Sequence, residues 1–185
     1  MRMFRILIPV ALAAAATVPA LAADYVQAPG SSLAFAGKYQ GETFSGTFPD
    51  FRTTLRFDPA DLGAGKLAVT IPLATATTQN PDYDSEMRGS AFFDAAKFAN
   101  ATYTASGFRD LGDGRYAADG TLELRGVRKP VTLTFTWTPG TRPLLSGRAT
   151  VPRLAFGVGG GEWADTSMIP DEIAISTRLH LQPAN

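Results

Sequence analysis

The chain has 185 residues, with 17 basic and 17 acidic side chains, one histidine and no cysteine. Balanced charge offers no electrostatic footprint for nucleic acid and no polybasic membrane patch. The absence of thiols excludes a disulfide framework, and a single histidine excludes the usual zinc sets.

Met1 to Ala22 has the layout of a secretory signal. Arg2 and Arg5 give a positive start, Ile6 to Ala16 is apolar, and Ala20 and Ala22 are the small residues a signal peptidase reads. The apolar run is shorter than the roughly 20 residues a membrane span needs. Residues 1–22 are therefore expected to be removed on export, so that the mature chain begins near Ala23. Residues 23–185 keep 15 basic against 17 acidic side chains, a net charge of −2. That length suits one domain built on one core, with no linker and no internal repeat.

Along the mature chain the dominant period is two. Leu33, Phe35 and Tyr39 begin it, followed by Leu55 and Phe57, then Leu67, Val69, Ile71 and Leu73. Ala101, Tyr103 and Ala105 continue it, as does the stretch from Tyr116 to Leu124. The clearest case is Val131-Thr132-Leu133-Thr134-Phe135-Thr136-Trp137, where every odd position is large and apolar and every even one is threonine. Ile173, Ile175, Leu179 and Leu181 close the series. Such alternation buries one face of a strand and wets the other. Turn signals at Asp58-Pro59, Gly63 to Gly65, Gly112 to Gly114 and Pro139-Gly140 separate the runs. The expected class is all-β and antiparallel, with about eight strands; alternation leaves sandwich and barrel both open.

One segment breaks the pattern. Asn80-Pro81 reads as an N-cap followed by proline at the first helical position. Asp82, Asp84 and Glu86 would favour the helix dipole, and Gly89 would end the helix. A second short turn is expected to carry Phe92, Phe93 and Phe98. Together these predict a short helical insertion near residues 80–98, covering an opening of the sheet.

Chemistry-bearing constellations are sparse. His180 shares the parity of Ser176 and Arg178, so it should point outward, with no serine elbow to serve. Asp82, Asp84 and Glu86 lack the glycine and distal glutamate of a calcium loop. Gly157-Val158-Gly159-Gly160-Gly161 precedes no helix, so it reads as a crossing between strands and not a phosphate loop. No catalytic set, metal site or resident cofactor is expected, and an enzyme would need a reactive cofactor brought in as ligand. Twelve phenylalanines, five tyrosines and two tryptophans are the main resource. A barrel of about eight strands can fill its interior with such side chains or enclose one small ligand.

Several strings, in order, resemble the YceI-like, polyisoprenoid-binding family. They are Gly41 to Phe48, Leu55-Arg56-Phe57-Asp58-Pro59, Asp84 to Asp94, and Ala118 to Leu122. Arg125 to Val131, Arg153-Leu154-Ala155-Phe156-Gly157-Val158-Gly159 and Pro170-Asp171-Glu172-Ile173 follow. The resemblance implies a lipocalin-like antiparallel barrel, helical insertion at one end, and a long apolar cavity for an isoprenoid. Gly30-Ser31-Ser32 stands where many members have a histidine, so no head-group role is carried over there. The chain looks closest to the branch associated with membrane cytochromes of the b561 type, which implies an isoprenoid quinone as ligand and such a cytochrome as partner.

Two functions follow as expectations. The first is a carrier of a polyprenyl chain or quinone inside the barrel. Its wall would be Phe35, Phe57, Ile71, Phe92, Tyr103, Phe135, Trp137 and Phe156, and its mouth Arg88, Glu162, Trp163 and Asp165. The second is a non-catalytic interaction module whose barrel is filled with aromatics and which acts through its surface on a membrane redox partner.

Overall fold

Alternating side chains make each strand two-faced, and a sheet of such strands must close or stack to hide its apolar face. In the computed structural model, which describes residues 23–184, it closes. The first half of the chain supplies β1 (Ala23–Gln27), β2 (Ser32–Tyr39), β3 (Glu42–Thr47), β4 (Arg52–Phe57) and β5 (Lys66–Pro72). After the helix α1 (Pro81–Arg88) come β6 (Asn100–Ser106), β7 (Arg109–Gly112) and β8 (Arg115–Leu124). Then follow β9 (Val127–Thr138), β10 (Leu144–Pro152) and β11 (Glu172–Pro183). The ring runs β1–β4–β5–β6–β8–β9–β10–β11 and returns to β1, every pairing antiparallel. The signal-like segment lies outside the described residues.

Strand β11 is long enough to serve two partners. Leu181, Gln182 and Pro183 pair with β1 and complete the ring. Ala174 to Arg178 pair with β2, which carries β3 as a hairpin. At that end the seam is finished by a bridge, with Thr47 and Thr77 exchanging backbone hydrogen bonds of 2.8 and 3.0 Å.

Aromatic rings rest on glycines where strands would otherwise be bare. Phe35 covers Gly46, its cross-strand partner, and Phe44 covers Gly37. Tyr103 of β6 lies over Gly120 of β8, and its hydroxyl reaches the β8–β9 seam, 2.8 Å from the Ala118 carbonyl and 3.0 Å from that of Val131. Burial pushes this phenol up to about 12, so it stays protonated.

Helix α1 forms as its ends dictate. The Asn80 side chain accepts from the N–H groups of Asp82 and Tyr83, and Pro81 opens the first turn. The segment from Ala91 to Phe98 makes successive turns and no second helix. Arg125 fastens it by donating to the carbonyls of Ser90 and Phe92. His180 points outward as expected but is half-buried, because the Gly30 turn packs over its ring.

Candidate functional site

The barrel interior is divided along its axis. At one end Phe57 is surrounded by four rings: Trp137 at 4.9 Å, Tyr116 at 5.1 Å, Phe108 at 5.2 Å and Phe135 at 5.4 Å. Leu145 and Leu181 complete this plug and are fully buried. The other end is hollow, with a cavity of about 330 Å³. Its wall comes from Leu33 and Phe35 of β2, Leu67, Val69 and Ile71 of β5, and Ala101 and Tyr103 of β6. Leu122 and Leu124 of β8, Val131 and Leu133 of β9, and Ile173, Ile175 and Leu179 of β11 complete it.

Few polar groups reach this wall, and most are already used. The Tyr103 hydroxyl is held by the β8–β9 seam, and Thr177 Oγ1 donates to the Ser32 carbonyl at 2.9 Å. Thr53 is the exception. It is 4% exposed, lines the cavity, and its hydroxyl has no hydrogen-bond partner in the protein. A buried unpaired hydroxyl destabilises the chain that carries it. Thr53→Val is therefore expected to raise stability by about 1 kcal/mol, read as a higher urea midpoint with an unchanged slope. A lower midpoint would show that the hydroxyl is satisfied.

The mouth is built by α1 and by the segment between β10 and β11. Trp163 stands on this segment, 5.5 Å from the Phe92 ring and 6.2 Å from that of Tyr39. Tyr83 of α1 lines the opening and is 47% exposed. The glycine run 157–161 is no loose crossing, because Arg153 holds it from within. That side chain is 3% exposed, and all five of its N–H donors meet backbone carbonyls. Nε reaches Pro170, Nη1 reaches Val158 and Gly159, and Nη2 reaches Trp163 and Ile169, at 2.6 to 3.2 Å.

Helix α1 is pinned by Asp84, which turns inward instead of serving the helix dipole from outside. Its carboxylate accepts from the Thr77 hydroxyl at 2.6 Å and from the Thr78 N–H and hydroxyl at 2.6 and 2.7 Å, with Arg88 3.8 Å away. Burial alone would raise its pKa, but these donors together with Arg88 hold it below the ordinary 3.8. A depressed carboxylate contributes stability above its unfolded pKa and loses it as pH falls through the folded value. Asp84→Asn is thus expected to cost about 1–3 kcal/mol at neutral pH. The gap from the native chain should narrow as pH falls from 3.8 through the lower folded value, beneath which both carry a neutral side chain. Urea melts at the two pH values check it.

The expected site residues separate clearly. Phe35, Ile71, Phe92 and Tyr103 line the cavity, and Trp163 stands at its mouth. Phe57, Phe135 and Trp137 do not line it; they belong to the plug, because register carries them to the other end of the barrel. Phe156 is fully buried in a 3-10 turn after β10 and faces no free volume. Arg88 donates to the Ala76 carbonyl at 3.1 Å on the outer side of α1. Glu162 is exposed beside Trp163, and Asp165 caps its own turn by accepting from the N–H and hydroxyl of Ser167. None of these three lines the cavity. Phe44, Tyr39, Tyr83 and Met87 do, and were not among the expected wall or mouth residues. Among the described residues, no group of three or more His, Asp or Glu side chains is placed to hold a metal ion.

A model of the YceI-like domain matches residues 25–181. A UPF0312 protein of Vibrio vulnificus is 33% identical over 127 residues, covering 66% of this chain and 67% of its own length. Among solved structures, BcnA of Burkholderia cenocepacia is 31% identical with a TM-score of 0.77, over 80% of this chain and 94% of that one. A polyisoprenoid binding domain from Saccharophagus degradans, implicated in plant cell wall breakdown, shares the fold at 17% identity and a TM-score of 0.67. It aligns over 89% of this chain and 100% of its own length.

Proposed function

The chain belongs to the YceI-like family, and on that footing we propose that it is a periplasmic carrier of an isoprenoid-type lipid, a polyprenyl chain or a quinone, held in the barrel. The observation that carries this reading is the apolar cavity that opens at one end only. Burying a methylene contributes about 0.8 kcal/mol, so even a short apolar chain gains enough to offset the cost of ordering it. The name of the Saccharophagus domain supports the same ligand class.

Export is supported by Arg2, Arg5 and the apolar run that follows; finding the chain in the cytoplasmic fraction of its host would remove that part of the proposal. An interaction module would be filled along the whole axis, whereas the rings at the other end, Phe35, Phe44 and Phe92 among them, border free volume. A membrane cytochrome of the b561 type would suit a quinone carrier as partner.

Native mass spectrometry of protein purified from its host, with solvent extraction of the bound material, tests the carrier. A retained prenyl lipid or quinone is expected. If nothing apolar is retained, and added prenyl quinones and polyprenols fail to bind, the carrier reading is lost.

A further inference from the structure

The change from hollow to filled is a step and not a taper. Leu133 lines the cavity, and the next inward residue of β9, Phe135, is in the plug. Leu179 lines it, and Leu181 below does not. Leu67 lines it, and at the adjacent Gly65 the Phe108 ring lies against the backbone, leaving no room for a Cβ. Two residues of strand, roughly 7 Å, separate free volume from close packing on each of these strands. Phe57 and Phe135 pack ring against ring at 5.4 Å and line no part of the cavity.

We propose that the aromatic plug around Phe57 and Phe135 is a floor that sets how much of an apolar chain the barrel encloses. The ligand is then recognised by a short apolar segment, and any further tail or polar group stays at or outside the mouth. The volume gives the scale. An apolar cavity of about 150 Å³ admits benzene, with six carbons. About 330 Å³ on the same scale encloses roughly a dozen carbons, between two and three isoprene units. The floor side chains are therefore specificity-determining for tail length. This rests on the carrier reading and adds a limit to it.

The test is a series of benzoquinones with one head group and tails of two, three, four and eight isoprene units, presented from the same neutral detergent. Equilibrium affinities are measured for the native chain, Phe135→Leu and Phe57→Leu. In the native chain affinity should rise about tenfold from two units to three, then change less than about threefold between four and eight. The leucine variants lower the floor, so their preference for four units over two should exceed the native preference by about tenfold. A native affinity that keeps climbing from four to eight units overturns the floor, as does a plateau that does not move in a folded leucine variant. If neither variant folds, the native series still decides. Failure of every tail to bind sinks the carrier reading itself, whereas binding without a plateau sinks only the floor.

Discussion

Replacing Arg153 by methionine is expected to lower stability by about 3–5 kcal/mol, the summed cost of leaving several buried carbonyls without a donor. Methionine fills similar length but donates nothing, so five carbonyls lose their partner. Those of Val158, Gly159 and Ile169 sit on buried residues that water does not readily reach. Each buried unpaired carbonyl costs about 1–3 kcal/mol, less whatever the loop recovers by moving. Burial draws the Arg153 pKa below its ordinary value while Asp171 raises it, and the guanidinium stays charged throughout the working range. Arg153→Lys rescues only in part, because an ammonium has three donors where five acceptors wait. Thermal unfolding should fall by on the order of 10 °C for the methionine variant. Hydrogen exchange should show residues 157–170 losing protection before the strands. A loss under about 1 kcal/mol would mean that the carbonyls find other donors and that Arg153 does not hold the mouth.

How much of this could be read from residues alone depends on what kind of information each feature needs. Strand β9 was legible because Val131 to Trp137 alternates without a break, and α1 because Asn80-Pro81 is a strong local start. Strand β10 was not legible. Its inward positions are Leu145, Gly147, Ala149 and Val151, and Gly147 is small because Leu133 and Thr177 of the adjoining strands occupy its space. That reason is three-dimensional, and the alternation is erased by it. Short β1 and β7 left too few residues to show a period.

The site divides on the same principle. Parity tells which side of the sheet a residue faces, and it placed Phe35, Ile71 and Tyr103 inward together with Phe57, Phe135 and Trp137. It carries no information about depth along the axis, which is fixed by register between strands far apart in sequence. The first three therefore line the cavity and the second three fill the opposite end. Arg153 was quoted within a family-like string, but nothing in Arg153-Leu154-Ala155-Phe156-Gly157 reveals its partners, since all five are backbone carbonyls without a side-chain signature. Asp84 looked like a dipole carboxylate because two roles share one residue type at one helical position.

The division of the barrel has a thermodynamic signature. Phe57→Ala is expected to cost about 3–5 kcal/mol, since the ring is 2% exposed and its loss leaves a void among four other rings. Ile175→Ala removes a comparable inward side chain from the cavity wall, where one side already borders free volume. Fewer contacts are lost there and little new cavity is created, so its cost should be about 1 kcal/mol, below the usual range for truncating a packed isoleucine. Both changes bear on binding, since Ile175→Ala widens the wall that a ligand touches and Phe57→Ala lowers the floor beneath it. Urea denaturation of the two variants, compared at equal slope, makes the distinction. Equal costs would mean that the upper half of the barrel is packed as tightly as the lower. In that case the interior could hold no ligand without first unpacking, and the surface would become the place to look for function.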